Sequence, residues 1–279
     1  MRFEKLSITN EQKNKYFSAR QRGLLNRDDM HVFAILENEV IQSMAIIARD
    51  ISIDEAYDIH DLYLREDADP KYLTELISNL EEICRSLGAY YLICHIQGDA
   101  ERSASYASLL LDQGYYFTDD GFRLFYAIEE LKDCRLMESS NDIKNLTEHV
   151  IPYKDLTSEQ KLELMESINK APDYHVSQAP DPEFGLTAYI NGEMVAFMDA
   201  RKLDEGTVYA PPRYICNRQY DSEARVMIMM YIIEKAKQTM KEDTVLICET
   251  YNDAVHQQCF DWFGLPEKED SIIEMIKNI

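Results

Sequence analysis

The sequence predicts an α/β (α+β) protein in which one unit occurs twice, and three observations carry that prediction. Strand-like and helix-like segments alternate along the 279 residues, in the same order in both halves. Each half has a tight two-residue turn between apolar strands, at Asn38-Glu39 and at Asn191-Gly192. Matching residues recur 154 positions apart: Ala34 and Ala188, Glu39 and Glu193, Met44 and Met198, Asp99 and Asp253. The tripeptides Leu92-Ile93-Cys94 and Leu246-Ile247-Cys248 obey the same offset. The long helices fit better 153 apart, Leu80 with Ile233 and Leu87 with Met240. Residues 1–135 and 136–279 are therefore expected to be two domains, each a mixed sheet flanked by helices.

The elements of the first half follow from local patterns. His31 to Glu37 and Val40 to Ala48 form a hairpin, and Ala56 to Leu64 is a third strand. Between Pro70 and Leu87, the residues Leu73, Leu76, Ile77, Leu80, Ile83 and Leu87 fall at helical spacing. Pro70 suits the first turn of that helix and Gly88 its end. Tyr90 to Ile96 is a continuous apolar run, the mark of a strand buried on both faces. Ala100 to Gln113 is a second helix, stopped at Gly114, and a closing hairpin is expected around Asp120-Gly121.

The second half repeats this order. Asp155 to Gln160 reads as a capped start of a helix running to about Asn169, matching one expected near Asn10 to Leu25. Gly185 to Ile190 and Glu193 to Arg201 form a hairpin. A strand from Thr207 to Cys216 is interrupted by Pro211-Pro212. Ser222 to Met240 is a helix, Thr244 to Glu249 a buried strand, Asp253 to Phe263 a helix ending at Gly264, and Ser271 to Ile279 the last strand.

Composition narrows the classes of function. Hydrophobic residues make up 46% of the chain, enough for two cores. The formal net charge of -22, from 51 acidic against 29 basic residues, disfavours nucleic acid and an anionic membrane surface as partners. The 6 cysteines show no CxxC spacing and read as reduced core thiols. The opening MRFEKLSITNEQKNK has no apolar core of a leader, and the longest apolar run, Val226 to Ile233, is too short to span a bilayer. A cytoplasmic location is expected. The 6 histidines show no HxH or HExxH spacing, so no metal site is expected.

The order of elements in each half (strand, helix, hairpin, strand, long helix, strand, helix, hairpin) resembles the GNAT superfamily of acyl-CoA-dependent N-acyltransferases. The resemblance implies a mixed sheet splayed between its fourth and fifth strands in each domain. It also implies acetyl-CoA or CoA as cofactor, with the pantetheine arm in the split and the pyrophosphate at the N-terminus of the long helix. The family's phosphate loop is Gln or Arg, two residues, Gly, one residue, then Gly or Ala. Here it corresponds to Arg65-Glu66-Asp67-Ala68-Asp69-Pro70 and Gln219-Tyr220-Asp221-Ser222-Glu223-Ala224. Both copies depart from the pattern. Ala68 and Ser222 replace the first glycine, Pro70 removes a donor, and acidic residues flank both loops.

On this resemblance the second copy is the better cofactor site, through Ile215, Asn217, Gln219, Ser222, Glu223, Ala224, Asn252 and Phe260. Leu64, Arg65 and Ala68 are the weaker counterparts in the first copy. The family's tyrosine acid corresponds to Leu110 and Phe260, neither of which donates a proton. The catalytic residues are not fixed by the sequence. Candidates are His60 and Asp61 on or near the fourth strand of the first copy, Tyr106 one turn before Leu110, and Tyr214 in the second copy. Asp58 and Tyr209 stand on the same strands. Two readings follow. One is an N-acetyltransferase moving an acetyl group from acetyl-CoA to a small-molecule amine, with the C-terminal copy active. The other is a non-catalytic tandem protein of this fold that binds another small ligand or a protein partner.

Overall fold

The computed structural model describes residues 1–9, 17, 21, 25, 29–50, 53, 55–138, 148–170, 179–212, 214–215 and 217–279; for Tyr214 and Ile215 only the backbone is described. The helix expected near Asn10 to Leu25 lies outside the described residues except for Phe17, Gln21 and Leu25. The chain divides into two compact units, residues 1–121 with 270–279, and residues 122–269.

The first unit contains β1 (Arg2–Leu6), β2 (His31–Glu37), β3 (Val40–Arg49), β4 (Ala56–Leu64) and β5 (Tyr91–Gly98). Its helices are α1 (Lys71–Ser86) and α2 (Ala100–Asp112). The strands run in this order across the sheet, antiparallel except for the β4–β5 pair. Asn38 and Glu39 have φ of 53° and 64°, the conformation a two-residue hairpin turn requires. Leu73, Leu76, Ile77, Leu80 and Cys84 line one face of α1 and are fully buried against the sheet. Gly88, at φ +88°, ends that helix: its N–H donates to Arg85 O, and the Ala89 N–H donates to Cys84 O at 3.0 Å. Gly114 ends α2 in the same way, with the Tyr115 N–H donating to Leu110 O at 3.0 Å.

The expected hairpin at Asp120-Gly121 does not form. Neither residue adopts positive φ, and one continuous strand, β6 (Tyr116–Ala127), runs through both. Its second half, Phe122 to Ala127, pairs with a strand of the second unit. The edge of the first unit is closed instead by β14 (Lys268–Asn278), whose residues Ser271 to Asn278 pair antiparallel with β5 from Gly98 to Tyr91. Turn-forming residues were present at Asp120-Gly121, but pairing partners distant in sequence decided the outcome.

The second unit begins with the rest of β6 and the short α3 (Arg135–Glu138). It continues through β7 (Val150–Pro152), α4 (Ser158–Asn169), β8 (Gly185–Ile190), β9 (Glu193–Asp199), β10 (Arg201–Asp204), β11 (Thr207–Ala210) and β12 (Tyr214–Ile215). Then come α5 (Asp221–Thr239), β13 (Val245–Thr250) and α6 (Asp253–Phe263). The start of α4 is the predicted capping box: Thr157 Oγ1 accepts from the Gln160 N–H, and Gln160 Oε1 from the Thr157 N–H. The β8–β9 turn at Asn191 and Gly192 has φ of 53° and 82°, the same turn class as in the first unit.

The strands of this unit form two groups. One has the order β7-β8-β9-β12 and the other β10-β11-β13-β6. The break falls at Ala200 on one strand and at Pro211-Pro212 on its neighbour. β11 stays parallel to β13, whereas β12 pairs with Phe197 and Ala196 of β9. The prolines carry no N–H to continue the ladder. Val195, Met227, Ile228, Ile232 and Leu246 share one core, and Phe197 packs in another with Leu156, Leu164 and Ile168. No helix among the described residues is long and apolar enough to cross a membrane.

Candidate functional site

Both units open their sheet at the same place, after the parallel pair of central strands. In the first, β4 and β5 pair from Ala56↔Tyr91 to Ile59↔Cys94, and the pairing then stops. At that point the β3–β4 register shifts, so that Ile46 faces Asp61 and Ile47 faces Ile59; His60 is the extra residue of a bulge. Beyond the bulge, the backbone groups that β5 no longer meets are met by α2. The Leu64 N–H donates to Tyr106 Oη at 2.9 Å, and Arg102 Nη2 donates to Leu62 O at 3.3 Å. The Arg102 guanidinium lies over the Tyr106 ring, 5.1 Å from its centroid. Side chains of α2 therefore reach into the first split. Tyr106→Phe removes the acceptor of the Leu64 N–H. It is expected to destabilise the first unit by about 1 kcal/mol in urea unfolding.

The loop before α1 is also satisfied from within. The Ala68 N–H donates to Arg65 O, Asp69 Oδ1 accepts the Lys71 N–H at 2.9 Å, and Arg65 pairs with Asp67 at 2.7 Å. An open depression of about 410 Å³ beside it is lined by Glu37, Asp67 and Asp69 against one cation, Arg65. A carboxylate thus holds the helix-end position that an anion would seek.

In the second unit the split is open. A cavity of about 320 Å³ lies between Pro211-Pro212 on one side and Cys248 to Asn252 on the other. Its floor is apolar, from Met198, Met229, Cys259, Trp262 and Phe263. Its polar groups are few: Arg225, Asp221, Glu249, Thr250, Tyr251 and Asn252. Tyr220, at the N-cap of α5, makes no side-chain capping hydrogen bond among the described residues. Arg225, one turn into that helix, has a side chain only 13% exposed. It pairs with Asp221 at 3.1 Å and bonds Gln258, while its buried Nε has no hydrogen-bond partner among the described residues. Glu249 is buried with Arg123 of β6, Nε to Oε2 2.6 Å, and accepts from Tyr251 Oη at 2.9 Å. Burial, then the neighbouring Glu249, raises the Tyr251 phenol above its ordinary pKa.

The residues expected from sequence are distributed unevenly around this cavity. Asn252 lines it, and its amide oxygen caps α6 by accepting from the Ala254 and Val255 N–H groups. Asn217 accepts from the Gln219 N–H, and Gln219, Ser222 and Glu223 are exposed at the helix start. Ala224 is fully buried. Phe260 packs against the core with its ring 4.6 Å from that of His256. Tyr214 and Ile215 are placed by their backbone alone, as β12 paired with β9. In the first unit, Gln21 Nε2 donates to Asp61 Oδ2. Arg225, Glu249, Tyr251 and Trp262 were not singled out from sequence. Trp262 is the chain's single tryptophan, a signal that was available. Arg225 reads locally as an ordinary helix pair with Asp221.

A second group of titratable residues stands at the bulge of the first unit. Asp58, His60 and His95 bring one ligand atom each within 4.8 Å of one another. Burial pushes the Asp58 carboxyl up to about 6, against the opposing pull of His95. The sequence held no metal spacing because the two histidines meet only through the β4–β5 pairing.

A mixed sheet with one parallel central pair, opened beyond it and followed by a long helix that starts at the opening, defines the GNAT acetyltransferase fold, and this chain has that fold. Solved structures agree. A tandem GNAT protein from the clavulanic acid biosynthesis pathway is similar over 99% of this chain and 98% of its own, at 8% identity and a TM-score of 0.61. A GCN5-related N-acetyltransferase from Kribbella flavida matches 93% of each chain at 11% identity and a TM-score of 0.60. Another, from Sphaerobacter thermophilus, matches 99% of this chain and 95% of its own at 12% identity and a TM-score of 0.56. No protein-family model and no curated protein sequence matches the chain.

Proposed function

We propose that the chain is a GNAT-type N-acetyltransferase whose second unit takes acetyl-CoA and passes the acetyl group to an amine. The observation that supports this reading is the contrast between the two splits. Tyr106 and Arg102 reach across the first and bond its β4 edge, whereas the second holds a cavity at the start of α5 with the Arg225 guanidinium on its wall. A cavity of this size and apolar lining suits a pantetheine arm. The buried Nε of Arg225 is a donor suited to a phosphate oxygen. The residues therefore fit the cofactor, whose thioester supplies the activated acetyl group when bound.

The chain's own contribution is positioning. The cavity walls would hold the arm and so position its thioester. Tyr251 puts a phenol on the wall, a role that Phe260 cannot take. The first unit then serves as a degenerate copy. The competing reading, a non-catalytic binder of another ligand, draws on Asp221 and Glu223 in the first turn of α5, which repel a pyrophosphate.

Calorimetry with acetyl-CoA and with CoA decides between them. Micromolar binding of both is expected, lost in Arg225→Glu and in Ser222→Glu and retained in Tyr106→Phe. No heat at millimolar cofactor would overturn the proposal.

A further inference from the structure

We propose that Asp58, His60 and His95 form a binding site for a divalent first-row transition metal ion, Zn²⁺ in the first instance, at the bulge of the first unit. The site is separate from the cavity of the second unit and does not depend on acyl transfer.

The geometry carries the proposal. Asp58 Oδ1 lies 3.5 Å from His95 Nε2, and Asp58 Oδ2 lies 4.0 Å from His60 Nε2. The ligand atoms of all three fall within 4.8 Å of one another. Zinc bound tetrahedrally at about 2.0–2.1 Å holds neighbouring donor atoms about 3.3–3.4 Å apart. The present spacing reaches that by small rotations of the three side chains. Both imidazoles present Nε2 to Asp58; their rings are stacked, 6° apart with centroids at 5.8 Å, so ligation of one ion requires them to tilt toward each other. Two imidazoles and one carboxylate are a borderline donor set that suits zinc, cobalt or iron rather than magnesium or calcium.

The backbone explains why the three converge. Ile59 and Cys94, the last pair of the β4–β5 ladder, face the core under α1. Strand alternation then turns Asp58, His60 and His95 to the opposite face, with His60 at the bulge where the β3–β4 register shifts. The outer arrangement is that of a metal-bound histidine. The other nitrogen of His95, Nδ1, faces Glu274 Oε2 of β14 at 3.6 Å. Glu274 is itself held by Thr118 Oγ1 at 2.7 Å. A carboxylate behind a ligating imidazole fixes its orientation and raises its basicity. The site is partly open, with the His60 and His95 side chains 18% and 23% exposed. Three protein ligands leave a fourth position for water, the pattern of reactive rather than structural zinc sites.

The test is metal binding by the full chain after treatment with a chelator. Titration with Zn²⁺ alone is expected to show one tight site per chain. Co²⁺ at the same site is expected to give visible absorption bands that Zn²⁺ displaces. Asp58→Asn, His60→Asn and His95→Gln should each weaken binding by at least about 100-fold, and Glu274→Gln by about 10–100-fold. His256→Gln, in the other unit, should leave it unchanged. Circular dichroism of each variant separates loss of the site from loss of the fold. Equal binding in all three ligand variants, or no binding by a folded wild-type chain, would overturn the proposal. Acetyl-CoA binding is read in a separate titration, so neither result decides the other.

Discussion

A chain that ends at Glu267 is expected to lose the fold of its first unit while keeping that of its second. The last strand, β14, supplies that unit with eight cross-strand pairs along β5, from Ser271↔Gly98 to Asn278↔Tyr91. Ile272 and Met275 are buried to 1% and 0% exposure. Their removal alone forfeits about 3–6 kcal/mol of apolar burial. Lys277 adds a bidentate contact to Glu81 of α1, at 2.8 Å to each oxygen, and Glu81 is left buried without it. β5 then becomes an open apolar edge. A domain stable by about 5–15 kcal/mol does not survive the sum of these losses. Hydrogen exchange reads the result. Amides of α1 and β5 should exchange fast in the shortened chain, while those of α5 and β13 stay protected. A synthetic peptide of residues 268–279 added in trans should restore protection. Retained protection in α1 without the peptide would show that β14 is an accessory strand.

That strand also shows where sequence reading stops. The hairpins at Asn38-Glu39 and Asn191-Gly192, and the helix ends at Gly88 and Gly114, were legible because each is decided within a few residues. A positive φ or a missing Cβ leaves a local trace in the sequence. Asp120-Gly121 carries the same trace and yet lies within one continuous strand. The partners that decide it, Phe122 to Ala127 against Thr250 to Val245, are far away in the chain. Residue 154-offset patterning placed Leu92 to Cys94 and Leu246 to Cys248 on the equivalent strands β5 and β13. It carried no information about which strand lies beside each of them.

The same distinction governs the sites. Pro211-Pro212 announced a broken strand, and the break is one wall of the cavity. Arg225 gave no warning, because within its helix it looks like the partner of Asp221. Only the packing of α5 beside the split turns it toward the cavity. Leu64, Arg65 and Ala68 matched the family loop in register. Whether that loop is free to receive a ligand depends on Asp69 and Tyr106, through hydrogen bonds that no spacing rule contains. His60 and His95 look like isolated strand histidines until the Ile59↔Cys94 pairing sets them side by side.

Arg123→Met is expected to destabilise the second unit by about 3–5 kcal/mol, a cost typical of breaking a buried ion pair. The Arg123 and Glu249 side chains are 6% and 7% exposed and face each other across the β6–β13 ladder. Burial works against the guanidinium more than any one neighbour favours it, but Glu249, Tyr209 and Tyr251 together raise the pKa of Arg123. Without Arg123, Glu249 loses its cationic partner and remains a desolvated anion on the cavity wall, beside the Tyr251 hydroxyl that donates to it. Glu249→Leu strands the cation in turn and should cost a similar amount. Together, Arg123→Met and Glu249→Leu should recover most of the loss, because apolar side chains of similar volume need no partner. Urea unfolding of the four proteins gives the coupling energy directly. Singles costing less than about 1 kcal/mol would place this pair with exposed ones, whose contribution is small. Arg123→Met should also weaken CoA binding, since it leaves uncompensated negative charge beside the place proposed for an anionic cofactor. The double variant should bind CoA better than Arg123→Met does, and that difference separates the electrostatic effect on the cavity from the loss of stability.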